Sequence, residues 1–101
     1  MYEHTLILKE TGELFAFGNN ENGQLGLGDN INRNKPMLLI KDQSIQQIVC
    51  GEYHTFILKD SGELFAFGYN GFGQLGLGDD VNRNKPTLVM KDKSIQKIVC
   101  G

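Results

Sequence analysis

A chain of 101 residues with 40% hydrophobic and 22% charged positions is the size and texture of one small globular domain, not of a disordered or low-complexity segment. A formal net charge of -2 and a pI near 5.6 argue against a domain that grips nucleic acid through its overall field, and no run of about 18 apolar residues is present to span a membrane. The opening Met1-Tyr2-Glu3-His4 lacks the basic start and apolar core of a secretion signal, so an intracellular address, cytoplasmic or nuclear, is expected.

In chain order, residues 5–8 read as a first strand. Residues 9–13 are a turn whose Gly12 suits positive φ, and residues 14–17 form a second strand. A glycine-rich loop, 18–29, follows. The basic stretch Asn32-Arg33-Asn34-Lys35 reads as an exposed loop, and residues 36–40 as a third strand with Pro36 at its start, where no ladder donor is lost. After a turn at 41–44, residues 45–50 make a fourth strand. No stretch of ten residues carries helical spacing.

The series then repeats. Shifting the sequence by 50 positions lays residues 4–51 on 54–101 with 35 of 48 identical, and the exchanges hold charge and volume (Leu6 to Phe56, Glu10 to Asp60, Ile31 to Val81, Ile40 to Met90). We divide the chain into a first unit, 1–51, and a second, 52–101, within one structural domain. The first two strands are apolar at nearly every position, which implies that both faces of each small sheet are covered. The expected fold is all-β, with two four-stranded antiparallel blades of a β-propeller.

The stretch Gly18-Asn19-Asn20-Glu21-Asn22-Gly23-Gln24-Leu25-Gly26-Leu27-Gly28-Asp29 and its copy at 68–79 resemble the signature of the regulator of chromosome condensation repeat. So do Cys50-Gly51-Glu52-Tyr53-His54-Thr55, the aromatic-glycine pair Phe67-Gly68 and the later Pro86. The likeness covers essentially the whole chain. It implies seven-bladed rings that serve as protein-binding platforms, hence a non-enzymatic interaction or scaffold module without a cofactor. For the family's namesake it implies guanine nucleotide exchange on a small GTPase with chromatin association, although the basic tail for chromatin has no counterpart here. A designed, ancestor-like unit with no partner also fits the high internal identity. Kelch and WD repeats would want tryptophan, and the chain has none.

Other motifs dissolve on inspection. Gly71-Phe72-Gly73-Gln74-Leu75-Gly76 has dinucleotide-binding spacing, but no helix follows it and the first copy has Glu21 where the first glycine is required. Cys50 and His54 are too few for a closed zinc site, and both cysteines sit in apolar runs that suit free thiols. His4 and His54 are expected to bond backbone at a strand start, and Gln24 and Gln74 to bond buried backbone. Leu25, Leu27, Leu75 and Leu77 should anchor the loops. The candidate partner contacts are Arg33, Lys35, Arg83 and Lys85, at the same place on each blade, with Tyr69 and Phe72 as aromatic anchors where the first copy has Asn19 and Asn22; the alternative is a solvated loop in which Asp29 and Asp79 pair the arginines locally and the aromatics simply pack.

Two blades leave both outer flanks bare, since arrays of this kind need about three units. Self-association through those flanks is therefore expected, head to tail, with rings of three or four copies as the closed options.

Overall fold

A computed structural model describes residues 3–100 of the protein. Seven strands run in order: β1 (His4–Leu8), β2 (Glu13–Gly18), β3 (Arg33–Lys41), β4 (Ile45–Cys50), β5 (His54–Lys59), β6 (Glu63–Gly68) and β7 (Arg83–Lys91). They form two antiparallel sheets, β1-β2-β3 and β4-β5-β6-β7.

The all-β expectation holds, and the strand count is corrected. Residues 45–50, expected to close the first blade, pair instead with β5, with Ile48 opposite Ile57 and Cys50 opposite Thr55. The sequence period and the sheet boundary are thus out of phase: the repeat turns over at 51, the sheet between β3 and β4. Only three residues separate Cys50 from His54, enough for a tight antiparallel return, and the result is a three-stranded and a four-stranded blade in place of two with four. Residues 95–100 repeat the β4 sequence but for Lys97 in place of Gln47, yet lie outside any strand.

Within each blade the hairpins are alike. β1–β2 and β5–β6 share one register, His4 opposite Gly18 and His54 opposite Gly68. The third strand begins earlier than expected, at Arg33 and Arg83, so Arg33, Asn34 and Lys35 belong to β3 and not to a loop. Pro36 accordingly sits inside β3. The ladder tolerates it because β3 is an edge strand and its register to β2 shifts between Ala16 and Gly18.

The core lies between the sheets. Leu14 of the first sheet and Ile57 and Phe67 of the second are fully buried, with Leu6, Leu39, Ile40, Ile45, Ile48 and Phe65 packed around them. Burying each such side chain contributes on the order of 2 kcal/mol to holding the two sheets together. The outer flank of the first blade is open, as expected of two blades alone: Ile7 is 42% exposed where its repeat counterpart Ile57 is 1% exposed. A neighbouring sheet, not the strand's own composition, decides which positions are dry.

Candidate functional site: the loop joint and the aromatic knob

Each glycine-rich loop is tied by an asparagine that sequence reasoning passed over. Asn20 is fully buried: its Nδ2 donates to the Asp29 carbonyl (3.0 Å), the Asp29 carboxylate (3.1 Å) and the Ile31 carbonyl (3.1 Å). Its Oδ1 accepts from the Leu25 amide (2.9 Å), and its own amide donates to Asn32 Oδ1 (2.7 Å). Asn70 makes the same five bonds with Asp79, Val81, Leu75 and Asn82. An amide side chain alone offers two donors and an acceptor in one plane, which is what an irregular buried turn requires. The recurrence of asparagine at the same phase in both copies was the available signal.

Gln24 has a smaller share. Its Oε1 accepts the Asn22 amide, as expected of a residue that bonds backbone, and its Nε2 donates to Asn19 Oδ1. Leu25 and Leu75 are fully buried and anchor their loops, while Leu27 and Leu77 are only half-buried.

Loop 18–29 also docks on the second blade, and six residues receive it. Thr55 Oγ1 donates to the Gln24 carbonyl (2.9 Å), and the Gly28 amide donates to the Asn84 carbonyl (2.7 Å). At Gly26, with φ of +72°, a Cβ would lie 2.8 Å from the Phe67 ring. At Gly23 one would lie 2.6 Å from the Asn84 Cα and 2.8 Å from the Arg83 carbonyl. Gly28 faces the Lys85 stem, and the Gln24 backbone approaches Gly68. These glycines serve close approach as well as turning.

His4 bonds the His54 backbone at the start of β5, as expected of a histidine at a strand start, and its Nε2 also meets the Thr55 hydroxyl at 2.9 Å, across the joint. Because Thr55 spends its one hydrogen on Gln24, it accepts from His4, so Nε2 carries the hydrogen. Burial, with the charge of His54 second, holds the His4 pKa below its ordinary value, and burial does the same for His54.

Arg33 and Arg83 are turned inward on their own repeats. The Arg33 guanidinium grips Asp29 (2.8 and 3.2 Å) and the Ile31 carbonyl; Arg83 does the same with Asp79 and Val81. The hydrogen bonds to arginine hold both carboxylates below the usual range. Lys85 lies in the joint, and Lys35, its counterpart, lines an open cleft.

Tyr69 and Phe72 come together with a residue the sequence did not single out. The Tyr69 ring stands edge-on to Tyr53 (6.4 Å, 72°) and to Phe72 (5.9 Å, 73°), and the Tyr69 amide donates to the Tyr53 carbonyl. Phe72 is 88% exposed, its amide held by Gln74 Oε1. The first blade has Glu3, Asn19 and Asn22 at these three positions, so the knob belongs to the second blade alone. Among the described residues, no group of three or more His, Cys, Asp or Glu could hold a metal, and no helix is long and apolar enough to cross a membrane.

Paired sheets packed face to face, joined by a glycine loop inserted into the next blade, define a pair of β-propeller blades. The Regulator of chromosome condensation (RCC1) repeat matches residues 11–58 and 61–101, and the chain belongs to that family. It is similar to human Protein RCC2 (44% identical over 50 residues, 48% of this chain and 10% of the relative) and to the probable E3 ubiquitin-protein ligase HERC4 of human (43% over 51 residues, 48% and 5%). It is also similar to Ras guanine nucleotide exchange factor C of Dictyostelium discoideum (42% over 50 residues, 48% and 3%). Among solved structures it is similar to yeast RCC1 (Prp20) bound to Kap60, with a TM-score of 0.72 at 31% identity over 85% of this chain and 20% of that one. Human WBSCR16 gives 0.71 at 29%, over 84% and 23%. The chain spans a tenth or less of these curated relatives, and about a fifth of the solved chains.

Proposed function

We propose that this protein is a non-catalytic protein-interaction module that works inside the cell and meets its partner through the Tyr53–Tyr69–Phe72 knob. The observation that carries this reading is Phe72: a large apolar side chain, 88% exposed, braced edge-on by a tyrosine that is itself braced by a second. A pre-ordered aromatic on a stiff loop loses little entropy on contact, the property of interface anchors. The histidines support a non-catalytic reading, since His4 is spent on the joint. Two thiols left unpaired, Cys50 and Cys100, suit a reducing compartment.

Affinity capture with the wild-type chain and with Phe72→Ala, followed by binding of the purified candidate, tests the reading. Loss of that binding by about tenfold in the variant supports it; equal binding contradicts it. A second reading, nucleotide exchange on a small GTPase, draws on the likeness to the Dictyostelium exchange factor. Accelerated nucleotide release from a Ras-like GTPase by the wild-type chain would favour it.

A further inference from the structure

We propose that a second copy of this chain docks on the open flank of the first blade, inserting its loop 68–79 into a ready-made socket and laying its residues 95–100 along β1.

The template for this joint is inside the molecule. Loop 18–29 is received by Thr55, Phe67, Gly68, Arg83, Asn84 and Lys85. Their counterparts 50 residues earlier are Thr5, Phe17, Gly18, Arg33, Asn34 and Lys35, and all six line one cleft of 670 Å³. These six residues are the same as in the filled socket and lie in the same strand register, and the cleft stands open.

The matching plug is equally bare. Loop 68–79 keeps the shape of loop 18–29 through the bonds of Asn70, yet Gly73 and Gly76, whose counterparts Gly23 and Gly26 are buried, are exposed. Around Gly78 nothing lies within 4 Å of a Cβ position, whereas Gly28 faces Lys85. Docking in the internal register sets the Gly78 amide on the Asn34 carbonyl and His54 on the Thr5 hydroxyl. Asp80, which replaces Asn30, falls opposite Asn34 and beside Lys35. That exchange places a carboxylate against a cation at the joint between copies, where the internal joint has two amides (Asn84 Nδ2 to Asn30 Oδ1).

The sheet edge gives the same answer independently. β4 covers the outer edge of β5, but β1 is an edge strand with nothing along it among the described residues. Residues 95–100, Ile-Gln-Lys-Ile-Val-Cys, repeat the β4 sequence except that Lys97 replaces Gln47, belong to no strand, and leave Val99 79% exposed. In the β4–β5 register they pair Ile98 with Ile7 and Cys100 with Thr5 of the next copy, giving its first blade a fourth strand. An unpaired strand edge and an unpaired segment of nearly the β4 sequence are complementary halves of one ladder.

Because donor and acceptor lie on opposite flanks, the contact is heterologous and propagates until it closes. The test is a complementation measured by light scattering after size exclusion, at 100 μM to 1 μM. Phe17→Arg fills the socket and leaves the donor side intact; the double substitution Gly76→Arg with Ile98→Pro disables the donor side and leaves the socket intact. The expected result is a discrete oligomer for the wild type, a monomer for each variant alone, and a one-to-one dimer on mixing the two. Recovery on mixing also shows that both variants fold. A monomeric wild type at 100 μM, an oligomer that survives both sets of substitutions, or folded variants that fail to pair would overturn the proposal.

Discussion

The two glycine-rich loops are written in nearly the same residues, hold themselves together with the same asparagine bonds, and live in different surroundings. Loop 18–29 is pressed into the second blade, with Gly23, Gln24 and Gly26 buried; in loop 68–79 the corresponding Gly73 and Gly76 are exposed and Gln74 half-buried. Internal bonds set a loop's shape, and a neighbouring blade sets its burial. The same division separates Ile57 from Ile7 and Phe67 from Phe17. Stability in a repeat array is carried at the interfaces between units as much as within them.

Paired substitutions at repeat-equivalent positions break this comparison most sharply at the aromatic pair. In the monomeric Gly76→Arg, Ile98→Pro background, Phe67→Ala empties the centre of the core and is expected to cost about 4 kcal/mol in urea unfolding, against about 1 kcal/mol for the half-buried Phe17→Ala. Equal losses at the two sites would mean that the inter-blade core is not what holds the chain together. The asparagines sharpen the opposite side of the argument: Asn20→Ala and Asn70→Ala should each cost about 2 kcal/mol, nearly the same, because their bonds lie within one loop and leave buried backbone groups unpaired when lost.

Thr55→Val removes a hydroxyl bonded twice across the joint, to His4 and to Gln24, and in the monomeric Gly76→Arg, Ile98→Pro background a loss of about 1 kcal/mol is expected by thermal unfolding, against no measurable change for Thr5→Val, whose socket is empty there. The smallest effect is a pH slope. Burial depresses the pKa of His4 and His54 in the folded chain below 6.5, so on acidification the unfolded chain takes up protons first. Stability is therefore full above pH 6.5 and falls as the pH drops below it. Replacing His4 by Gln should flatten that part of the stability profile measured by urea titration from pH 7.5 to 5.

Much of this was legible in the sequence. The 50-residue period, the hairpins at 5–8 and 14–17 and the family likeness all follow from apolar runs punctuated by glycine. The blade boundary did not follow, because residues 45–50 carry the same strand pattern whichever sheet they join; only the short return to His54 selects β5. The extended start of β3 at Arg33 was hidden by a polar composition typical of loops, and a register shift beside an edge proline has no signature in a single sequence. At the candidate site, Tyr69 and Phe72 were visible as exchanges against Asn19 and Asn22. Tyr53 was not, since it falls 16 residues away and meets Tyr69 only when β5 and β6 pair. For the arginines the sequence offered two readings, a basic face or local pairing with Asp29 and Asp79, and their geometry is that of the local ties.

The difference between a docked and an undocked loop is read most directly by amide hydrogen exchange in the Phe17→Arg chain, whose socket is blocked. Leu25 and Leu75 amides, both bonded to buried asparagines, should be protected alike, while the Gly28 amide, bonded to Asn84, should exchange at least tenfold more slowly than that of Gly78. Equal protection of Gly28 and Gly78 in that monomer would contradict the claim that the neighbouring blade, and not the loop's own bonds, creates the joint.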